Sequence, residues 1–348
     1  VPILKQGQPR KVAQSYRPIT LTSHVCKVME KIVLNRLLYF CEKNNIIPLN
    51  QAGFRKGRST IDHLVKLTTQ IKCQFAKRKS VLATFFDVRK AYDRVWHSRL
   101  LLKLKNIGLS GHIYDYFKSF LTERKITARV RNTYSSFQNL ELGIPQGSII
   151  APMLFNLLIY DLPHSVSKVV SVVQYADDIA VWMNCSLRKT TPKRFIKYTH
   201  KVYQAEIDNL SQYMKTNGLE FSTEKTSMIL FNNGAKPQIL PTFTLNGKVM
   251  EYQSSVKFLG LHLTEKLQWR KHIEYILSKA SKSFNFLKIV SRYHWGQDTS
   301  TLLHLATSLV RSKLTYGQEI YFSAPDVYLR KLQSLNSKAY KIALGVPV

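Results

Sequence analysis

A pair of adjacent aspartates, Asp177 and Asp178, lies between two apolar runs, which leaves few choices for the local fold. The run "KVVSVV" occupies residues 168–173, and "IAVW" occupies residues 179–182. Apolar runs of this length around a short polar break predict two strands joined by a tight hairpin. The alternative interpretation of the acids alone is an ordinary polar hairpin turn, in which Asp is common. Either way, the sequence predicts a hairpin with two carboxylates at its tip.

The chain is strongly basic. Its 348 residues include 52 Lys and Arg against 21 Asp and Glu, for a formal net charge of +31. Such an excess opposes compaction through self-repulsion unless a polyanion offsets it. Nucleic acid is the partner that this charge indicates, because Lys and Arg displace counterions from phosphates. A ribosomal or histone-like binder would share the charge, but 11% aromatic residues indicate a folded basic domain.

Several other classes of protein fit the sequence poorly. The four cysteines lack metal-ligand spacing, which indicates reduced thiols in an intracellular protein. The ten histidines contain no HExxH-like pair, which argues against a zinc hydrolase. The loop "GFRKGRS" lacks the spacing of a nucleotide-binding P-loop. The longest apolar stretch, "IIAPMLFNLLIY", is too short to span a bilayer, so no membrane contact is expected.

Two helices are predicted in the first eighty residues. Apolar residues recur at helical spacing within residues 24–40 and again within residues 61–75. In the first helix these residues are Val25, Val28, Met29 and Ile32. In the second, Ser59 and Asp62 have the spacing of a capping box, which predicts the start of that helix.

Strand and helix patterns alternate in the middle of the chain, and helical patterns alone occupy its end. A buried strand is predicted at 80–88 and a further strand at 227–231, and Asn246 followed by Gly247 predicts a hairpin turn. From about residue 266 onward the sequence is all-helical in pattern, which suggests a separate helical subdomain. Because the sequence begins at Val1 in the middle of a pattern, we expect a fragment of a longer polyprotein.

A second strand provides another acid. Two neighbouring carboxylates raise each other's pKa, a conflict that a divalent metal relieves. Two Mg²⁺ ions roughly 3.5–4 Å apart can serve phosphoryl transfer, but they need carboxylates from two strands. Asp87 ends the apolar strand "VLATFFDV" and is the predicted second source. The nearby Asp93 is expected on a following helix, paired with Arg94 or Arg89.

Three segments in this order resemble motifs A, B and C of reverse transcriptases: "FFDVRKAYDRVW", "GIPQGSIIAPMLFNLLIYDL" and "QYADDIAVW". Around them, "SYRPITLTSHVCKVMEKIVLNRL" and "NQAGFRKGRSTIDHL" resemble finger motifs of non-LTR, LINE-type retrotransposon polymerases. "GLEFSTEKTSMILF" resembles motif D, and "SVKFLGLHLTEKLQW" resembles the motif after it. The helical tail with "LTYGQEIYFSA" is most similar to elements of the jockey and I-factor type.

The resemblance implies an α+β, right-hand polymerase. Fingers would occupy residues 1–80, and a palm of antiparallel sheet plus helices would occupy residues 81–265, with finger insertions. A helical thumb would occupy residues 266–348. Endonuclease, Cys-His knuckle and RNase H segments have no counterpart in this sequence.

The resemblance also implies a set of catalytic residues. Asp87 and Asp177 would be ligands of two Mg²⁺ ions, for which Mn²⁺ is a possible substitute. Asp178 would be the third carboxylate, and the backbone carbonyl of Val88 would add a ligand. Lys225 in motif D would protonate pyrophosphate as a general acid; the alternative is a solvated lysine.

A deoxynucleotide site follows from the same motifs. Tyr92 would lie under the sugar and clash with a ribose 2′-hydroxyl; the alternative is a core aromatic. Gln146 and Gly147 would lie at the nascent base pair; the alternative, which the two residues taken alone favour, is a Gly-Pro turn leading into a buried helix. Lys5 and Arg17 fit finger positions that contact the triphosphate, with ordinary surface cations as the alternative.

Two basic segments would contact the template and the primer. They lie in the loop after the first helix and in the motif that follows motif D. Their residues are Gly53, Arg55, Lys56, Arg58, Lys257 and Gly260. In the tail, "WRKHIEYILSKASKSFNFLK" is basic with interleaved aromatics, and its cationic face would follow the duplex backbone.

The sequence therefore predicts an RNA-directed DNA polymerase that extends a primer 3′-hydroxyl with deoxynucleoside triphosphates. The expected partners are an RNA template and a DNA primer at a target nick, with synthesis in the nucleus and ribonucleoprotein assembly in the cytoplasm. One alternative is an inactive, domesticated RNA-binding protein on the same fold, which would lose site acids. Another is an RNA-templated RNA polymerase, against which Tyr92 argues.

Overall fold

The computed structural model describes residues 1–5, 7–186, 193–235, 237, 239–292 and 296–347. The strands are β1 (Pro2–Leu4), β2 (Tyr16–Pro18), β3 (Ser80–Asp87), β4 (Lys125–Ile126), β5 (Arg129–Val130), β6 (Thr133–Tyr134), β7 (Gln138–Asn139), β8 (Val170–Tyr175), β9 (Asp178–Cys185), β10 (Ser227–Phe231), β11 (Phe243–Leu245), β12 (Lys248–Met250), β13 (Ser255–Phe258) and β14 (Leu261–Thr264).

The helices are α1 (His24–Lys43), α2 (Thr60–Ala76), α3 (His97–Asn106), α4 (Gly111–Leu121), α5 (Ala151–Leu158), α6 (Lys193–Thr216), α7 (Arg270–Val290), α8 (Thr299–Leu305), α9 (Ser312–Thr315), α10 (Gln318–Tyr321) and α11 (Asp326–Ala343). Short 3₁₀ turns cover Ala13–Ser15 and Leu162–Ser165, and a π-helical turn, Ala306–Arg311, joins α8 to α9. The fold is α+β, as predicted. Within the described residues, none of the helices combines the length and apolar character that a bilayer span needs.

The centre of the molecule is a four-stranded antiparallel sheet with strand order β10-β3-β9-β8. The predicted hairpin is its β8–β9 pair, and the predicted strand at 80–88 is β3. Residues of β3 are buried on both faces, since helices or hairpins cover each side of the sheet. This two-sided burial explains why the strand is continuously apolar in sequence.

Each face of the sheet belongs to a different hydrophobic core. Along β9, Ile179 and Val181 pack in the first core with α1 and α3 to α6, whereas Ala180 and Trp182 pack in the second. The second core contains α2, the β13–β14 hairpin and the C-terminal helices. Because strand side chains alternate between faces, one register fixes both cores at once.

The two predicted N-terminal helices form, but α1 does not bury the residues that indicated it. Its buried positions are Glu30, Val33, Leu37 and Cys41. The apolar residues named from the sequence are exposed: Val25, Val28, Met29 and Ile32. Tertiary packing therefore selects the neighbouring stripe of the helix. For α2, the predicted capping box of Ser59 and Asp62 is present.

The C-terminal helices share their core with the sheet. Residues on both sides of position 265, such as Phe258 and Ile273, belong to the same second core. Tyr316 also bridges to the N-terminal part, since its hydroxyl donates to the Leu259 carbonyl at 2.7 Å and lies 2.8 Å from the Thr60 hydroxyl. The second core thus runs across the predicted boundary between residues 265 and 266. The division into three subdomains stays a prediction.

A buried ammonium group joins α3, α5 and α6. Lys103 Nζ donates to the Leu158 carbonyl and the Asp161 carboxylate, each at 2.6 Å, and to the Tyr213 hydroxyl at 3.0 Å. The Lys103 side chain is 4% exposed. Burial lowers the pKa of Lys103, and the Asp161 partner opposes that shift. This network therefore links α3, α5 and α6 within the first core.

We predict that Lys103→Met lowers the free energy of unfolding by about 3–5 kcal/mol, because it leaves a carboxylate without its buried cation. Chemical denaturation followed by circular dichroism measures this change. Lys105→Met, two residues along the same helix but exposed, is the matched control and should change stability by less than about 0.5 kcal/mol. Equal losses in the two variants would contradict the role given to the buried network.

Candidate active site

The three predicted acids meet at one edge of the central sheet. Asp87 is the last residue of β3, and Asp178 is the first residue of β9. These two residues are directly opposite each other in the antiparallel register. Asp177 precedes Asp178 at the tip of the β8–β9 hairpin. The end of one strand therefore lies beside the start of the other, and carboxylates from distant parts of the chain share one small region.

The hairpin tip is held from behind by the loop that precedes α2. Ala176 adopts a left-handed backbone conformation, with φ of 56°. The side-chain oxygen of Gln51 accepts from the Ala176 N–H at 3.1 Å and from the Gly53 N–H at 2.9 Å. A Cβ on Gly53 would lie 2.6 Å from the Ala176 nitrogen. Only glycine allows this approach, so Gly53 supports the acid-bearing turn.

The acids oppose one another's ionisation. Burial and the Asp87 carboxylate raise the pKa of Asp177, while Lys225 and Arg17 act in the opposite direction. Desolvation in the cleft, together with Asp177 and Asp87, raises the pKa of Asp178 to about 6, although much of the Asp178 side chain is exposed. The site therefore concentrates negative charge in a chain that is basic elsewhere.

One carboxylate oxygen at this edge has no hydrogen bond among the described residues. Oδ2 of Asp87 is buried, and its nearest cation is Lys225 Nζ at 3.4 Å. In the described ranges, no three potential ligand side chains already surround one point. The donor set is nevertheless oxygen-only and anionic, the chemistry that Mg²⁺ prefers. An orphaned oxygen beside two acids with raised pKa values fits a divalent cation.

Tyr92 lies next to the acids. Its half-buried ring packs on Phe155, with ring centroids 5.4 Å apart. Burial and the nearby Asp177 raise the pKa of Tyr92 to about 12, so its hydroxyl is neutral at physiological pH. The residue lies in a turn after β3, not on a helix. The ring therefore packs on Phe155 and also borders the space beside the acids.

The expectation for Asp93 is wrong. Residues 90–94 form turns instead of a helix, and Asp93 accepts a hydrogen bond from Gln146 Nε2 at 2.7 Å. The two arginines expected as its partners pair with Glu220 instead: Arg94 at 2.8 Å and Arg89 at 3.9 Å. Motif A and motif B are thus joined through Asp93 and Gln146.

Gly147 is required by a contact within the protein. Its φ is 121°, and a Cβ there would lie 2.7 Å from the Thr20 carbonyl oxygen. The carbonyl of Gln146 accepts from the Thr20 N–H at 2.6 Å. The N-terminal segment therefore crosses motif B at these residues.

The two predicted finger cations lie on the β1–β2 pair. Lys5 Nζ donates to the Gln14 carbonyl at 2.8 Å and lines a cleft of about 400 Å³ together with Asp87 and Lys225. Arg17 on β2 is exposed and acts on the ionisation of Asp177. Both cations are thus on the same side of the molecule as the acids.

The predicted template residues divide into two groups. The structure contradicts the predicted template contact of Arg55. Its side chain is 7% exposed and forms a bidentate pair with Glu42, with bonds at 2.7 and 2.8 Å. It also donates to three backbone carbonyls, so it closes the loop instead of facing solvent. Lys56 and Arg58 are exposed. Their template contact stays a prediction.

The later pair of predicted template residues lies on the β13–β14 hairpin. Lys257 is exposed, and its Nζ donates to the Tyr275 hydroxyl at 2.8 Å. Gly260 has φ of 87°, and a Cβ there would lie 2.9 Å from the Tyr316 ring. The structure therefore explains Gly260 by packing, and a template contact at these positions stays a prediction.

The profile of the family described as reverse transcriptase (RNA-dependent DNA polymerase) matches residues 3–263. The chain belongs to the reverse transcriptase family. The matched range contains all three acids, and it confirms the membership predicted from motifs A, B and C.

Relatives of this reverse transcriptase come from mobile elements. It is 29% identical to the RNA-directed DNA polymerase from mobile element jockey of Drosophila melanogaster, over 99% of this chain and 37% of that protein. It is 27% identical to the probable RNA-directed DNA polymerase from transposon BS of the same species, over 99% of this chain and 38% of that protein. The chain thus spans less than two fifths of these relatives. Among solved structures, apo telomerase from Candida tropicalis matches with a TM-score of 0.47, 11% identity, 92% coverage of this chain and 56% of that chain.

Sequence reasoning missed two residues that build this candidate site. Glu30 on α1 is fully buried and accepts from the Ser148 hydroxyl at 2.8 Å and the Ile149 N–H at 2.6 Å, which fixes motif B. Gln51, described above, fixes the hairpin tip. The available signal for Glu30 is its spacing from Val33 and Leu37, which places an acid on a buried helical stripe.

The raised pKa of Asp178 predicts a pH-dependent stability in metal-free buffer. Because the folded-state pKa is raised to about 6 from 3.8, the folded protein binds more protons than the unfolded chain between these values. The contribution of Asp178 to stability should therefore fall as pH rises from about 4 to about 6. Asp178→Asn should remove this contribution, while that of Asp177 stays, and should raise the free energy of unfolding at pH 7.5 by about 1 kcal/mol, a value reduced for solvent screening.

Denaturation of both proteins across this pH range, with chelator present, measures the effect. Asp115→Asn, at an exposed acid on α4, is the control and should keep the wild-type pH profile. A wild-type profile in Asp178→Asn would mean that the acids do not strain the folded state.

Proposed function

We propose that this reverse transcriptase is an RNA-directed DNA polymerase of a non-LTR retrotransposon. The observation that carries the proposal is the pairing of Asp87 with Asp178 across β3 and β9, with Asp177 at the same edge. This pairing lies inside the range that matches the family. The named relatives are RNA-directed DNA polymerases of mobile elements, which supports the same activity for this chain.

Asp87, Asp177 and the backbone carbonyl of Val88 would hold two Mg²⁺ ions, with Mn²⁺ as a substitute, and Asp178 would be the third carboxylate. Bound there, the ions supply positive charge that aligns and stabilises the attacking and leaving oxygens of nucleotidyl transfer. The chain's own contribution is to concentrate anionic oxygens on a rigid sheet edge. Val88 is suited to this role because it is buried and bridged to Phe221, which keeps its backbone in place.

The nucleotide would occupy the space between Tyr92 and the β1–β2 pair. The Tyr92 ring would exclude a ribose 2′-hydroxyl, and Gln146, held by Asp93, would border the nascent base pair. Lys5 and Arg17 would contact the triphosphate, where a cation offsets charge on the leaving pyrophosphate. Lys225 is 3.4 Å from Asp87 Oδ2, close enough to the site to donate a proton to pyrophosphate as a general acid.

The partners follow from charge and relationship. A net charge of +31 suits an RNA template and a DNA primer, with deoxynucleoside triphosphates as substrates. Fingers, palm and thumb would correspond to the three predicted segments and enclose the duplex. Synthesis would begin at a nick in target DNA, which requires nuclear access, after ribonucleoprotein assembly in the cytoplasm.

Primer extension tests this function. The purified chain, given an RNA template, an annealed DNA primer and deoxynucleotides, should extend the primer with Mg²⁺ or Mn²⁺ and should not do so with chelator. A DNA template and ribonucleotides serve as comparison substrates. RNA binding without extension under either ion would instead favour the inactive, domesticated RNA-binding protein.

A further inference from the structure

A ribbon of residues 125–139 projects from the first core with almost no burial. It consists of two short antiparallel pairs, β4 with β7 and β5 with β6. Every residue from 128 to 139 is exposed. Three of these are large apolar side chains: Val130 is 57% exposed, Tyr134 is 59% exposed and Phe137 is 71% exposed. The ribbon, named here by residues 125–139, therefore presents apolar surface to solvent.

Local hydrogen bonds hold the ribbon in shape. Ser135 Oγ accepts from the Ala128 N–H at 2.9 Å, and the Thr127 hydroxyl donates to the Ser135 carbonyl at 2.7 Å. A two-stranded ribbon without a covering layer is marginal in water. A partner that buries the exposed rings of Tyr134 and Phe137 would therefore stabilise the ribbon.

The charge of the ribbon limits what that partner can be. From residue 124 to residue 140 there are four cations and no acid. The cations are Arg124, Lys125, Arg129 and Arg131. The Arg129 guanidinium lies 5.6 Å from the centre of the Tyr134 ring. An anionic partner with flat faces satisfies both features, because unpaired bases stack on aromatic rings while phosphates contact the cations.

The base of the ribbon is tied to the candidate active site. The Leu140 N–H donates to the Arg124 carbonyl at 2.8 Å and closes the ribbon. The chain then runs to Gly143 and Ile144, whose N–H groups donate to the carbonyls of Val95 and Tyr92, each at 2.8 Å. The base of the ribbon is thus connected, through backbone hydrogen bonds, to the segment beside Tyr92.

We propose that the ribbon is a binding platform for single-stranded RNA. Tyr134 and Phe137 stack on unpaired bases, and Arg129 and Arg131 contact the phosphates between them. The inference rests on the proposed function, since it assigns a surface to the RNA partner. It adds a site for unpaired RNA, separate from the motifs around the acids.

Fluorescence anisotropy tests the platform with a labelled, mixed-sequence single-stranded RNA of about twenty nucleotides. The whole chain is titrated at several salt concentrations. The first variant is Tyr134→Ala with Phe137→Ala, which should weaken binding by about tenfold or more, since two stacked bases are lost. The second is Tyr134→Leu with Phe137→Leu, which keeps apolar area without rings and should weaken binding nearly as much.

Two further measurements sharpen the test. Arg129→Ala with Arg131→Ala should lower the slope of log K against log salt by about 1.4, the value for two phosphate contacts on a single strand. Tyr198→Ala, at an aromatic residue that is 63% exposed on α6, is the control and should keep wild-type affinity. Circular dichroism checks that each variant is folded.

Affinity for the RNA that is unchanged in the double alanine variant, or fully retained in the double leucine variant, would overturn the platform. The platform would also be overturned if the double alanine variant lost as much affinity for blunt duplex DNA of the same length as for the RNA, because duplex bases are not free to stack. Primer extension by the wild-type chain is scored separately. Extension with unchanged RNA affinity in the ribbon variants rejects the platform alone, whereas absence of extension rejects the proposed function.

Discussion

Replacing Asp177 with Asn is expected to lower primed deoxynucleotide incorporation by roughly 10³-fold or more. The substitution keeps the size of the side chain but removes the negative charge of one of the three carboxylates at this edge. It also removes a buried negative charge, whose desolvation and repulsion by Asp87 destabilise the folded protein. Steady-state primer extension on an RNA template, with saturating Mg²⁺, measures the loss.

The same variant should keep its fold and its affinity for RNA. Thermal unfolding with and without Mg²⁺ gives a second readout, because an ion that binds only the folded state raises the melting temperature. We expect this increase in the wild type and in Asp115→Asn, and a smaller one in Asp177→Asn. Equal extension rates in the wild type and Asp177→Asn would contradict the assignment of these acids to the reaction.

The convergence of the acids was predictable because each one ends or begins an apolar strand. Asp87 closes "VLATFFDV", and Asp177 and Asp178 interrupt two apolar runs. Once the strands are antiparallel neighbours, the period of two fixes which residues face each core and which lie at the edge. The sequence therefore contained both the local structure and the reason for the meeting point.

Contacts between distant segments were not predictable in the same way. Arg55 looked like a free cation in a basic loop, yet Glu42 and three carbonyls enclose it. Asp93 was expected to pair with arginine, yet Gln146 reaches it from motif B. In α1, the helix face that packs in the core is the one that contains Glu30, and the more apolar face is exposed. Each outcome depends on which elements become neighbours, which spacing along one element does not specify.

Replacing Tyr92 with Val should relax the discrimination between deoxynucleotides and ribonucleotides. We expect the ratio of kcat/KM for the two substrates to fall by about tenfold to a hundredfold, because discrimination by a steric clash is lost when the ring is removed. Ribonucleotide incorporation should rise, while deoxynucleotide incorporation falls only modestly. Single-nucleotide extension on an RNA template measures both constants.

The ring, and not the hydroxyl, should carry this selectivity. Since burial and Asp177 raise the pKa of Tyr92 to about 12, the hydroxyl contributes no charge near neutral pH. Tyr92→Phe keeps the ring that packs on Phe155 and should keep the wild-type ratio. If Tyr92→Val still rejects ribonucleotides as the wild type does, another group must contact the 2′-position, and Tyr92 is then a packing residue. If Tyr92→Phe loses selectivity as well, the hydroxyl takes part in sugar recognition and the purely steric explanation fails.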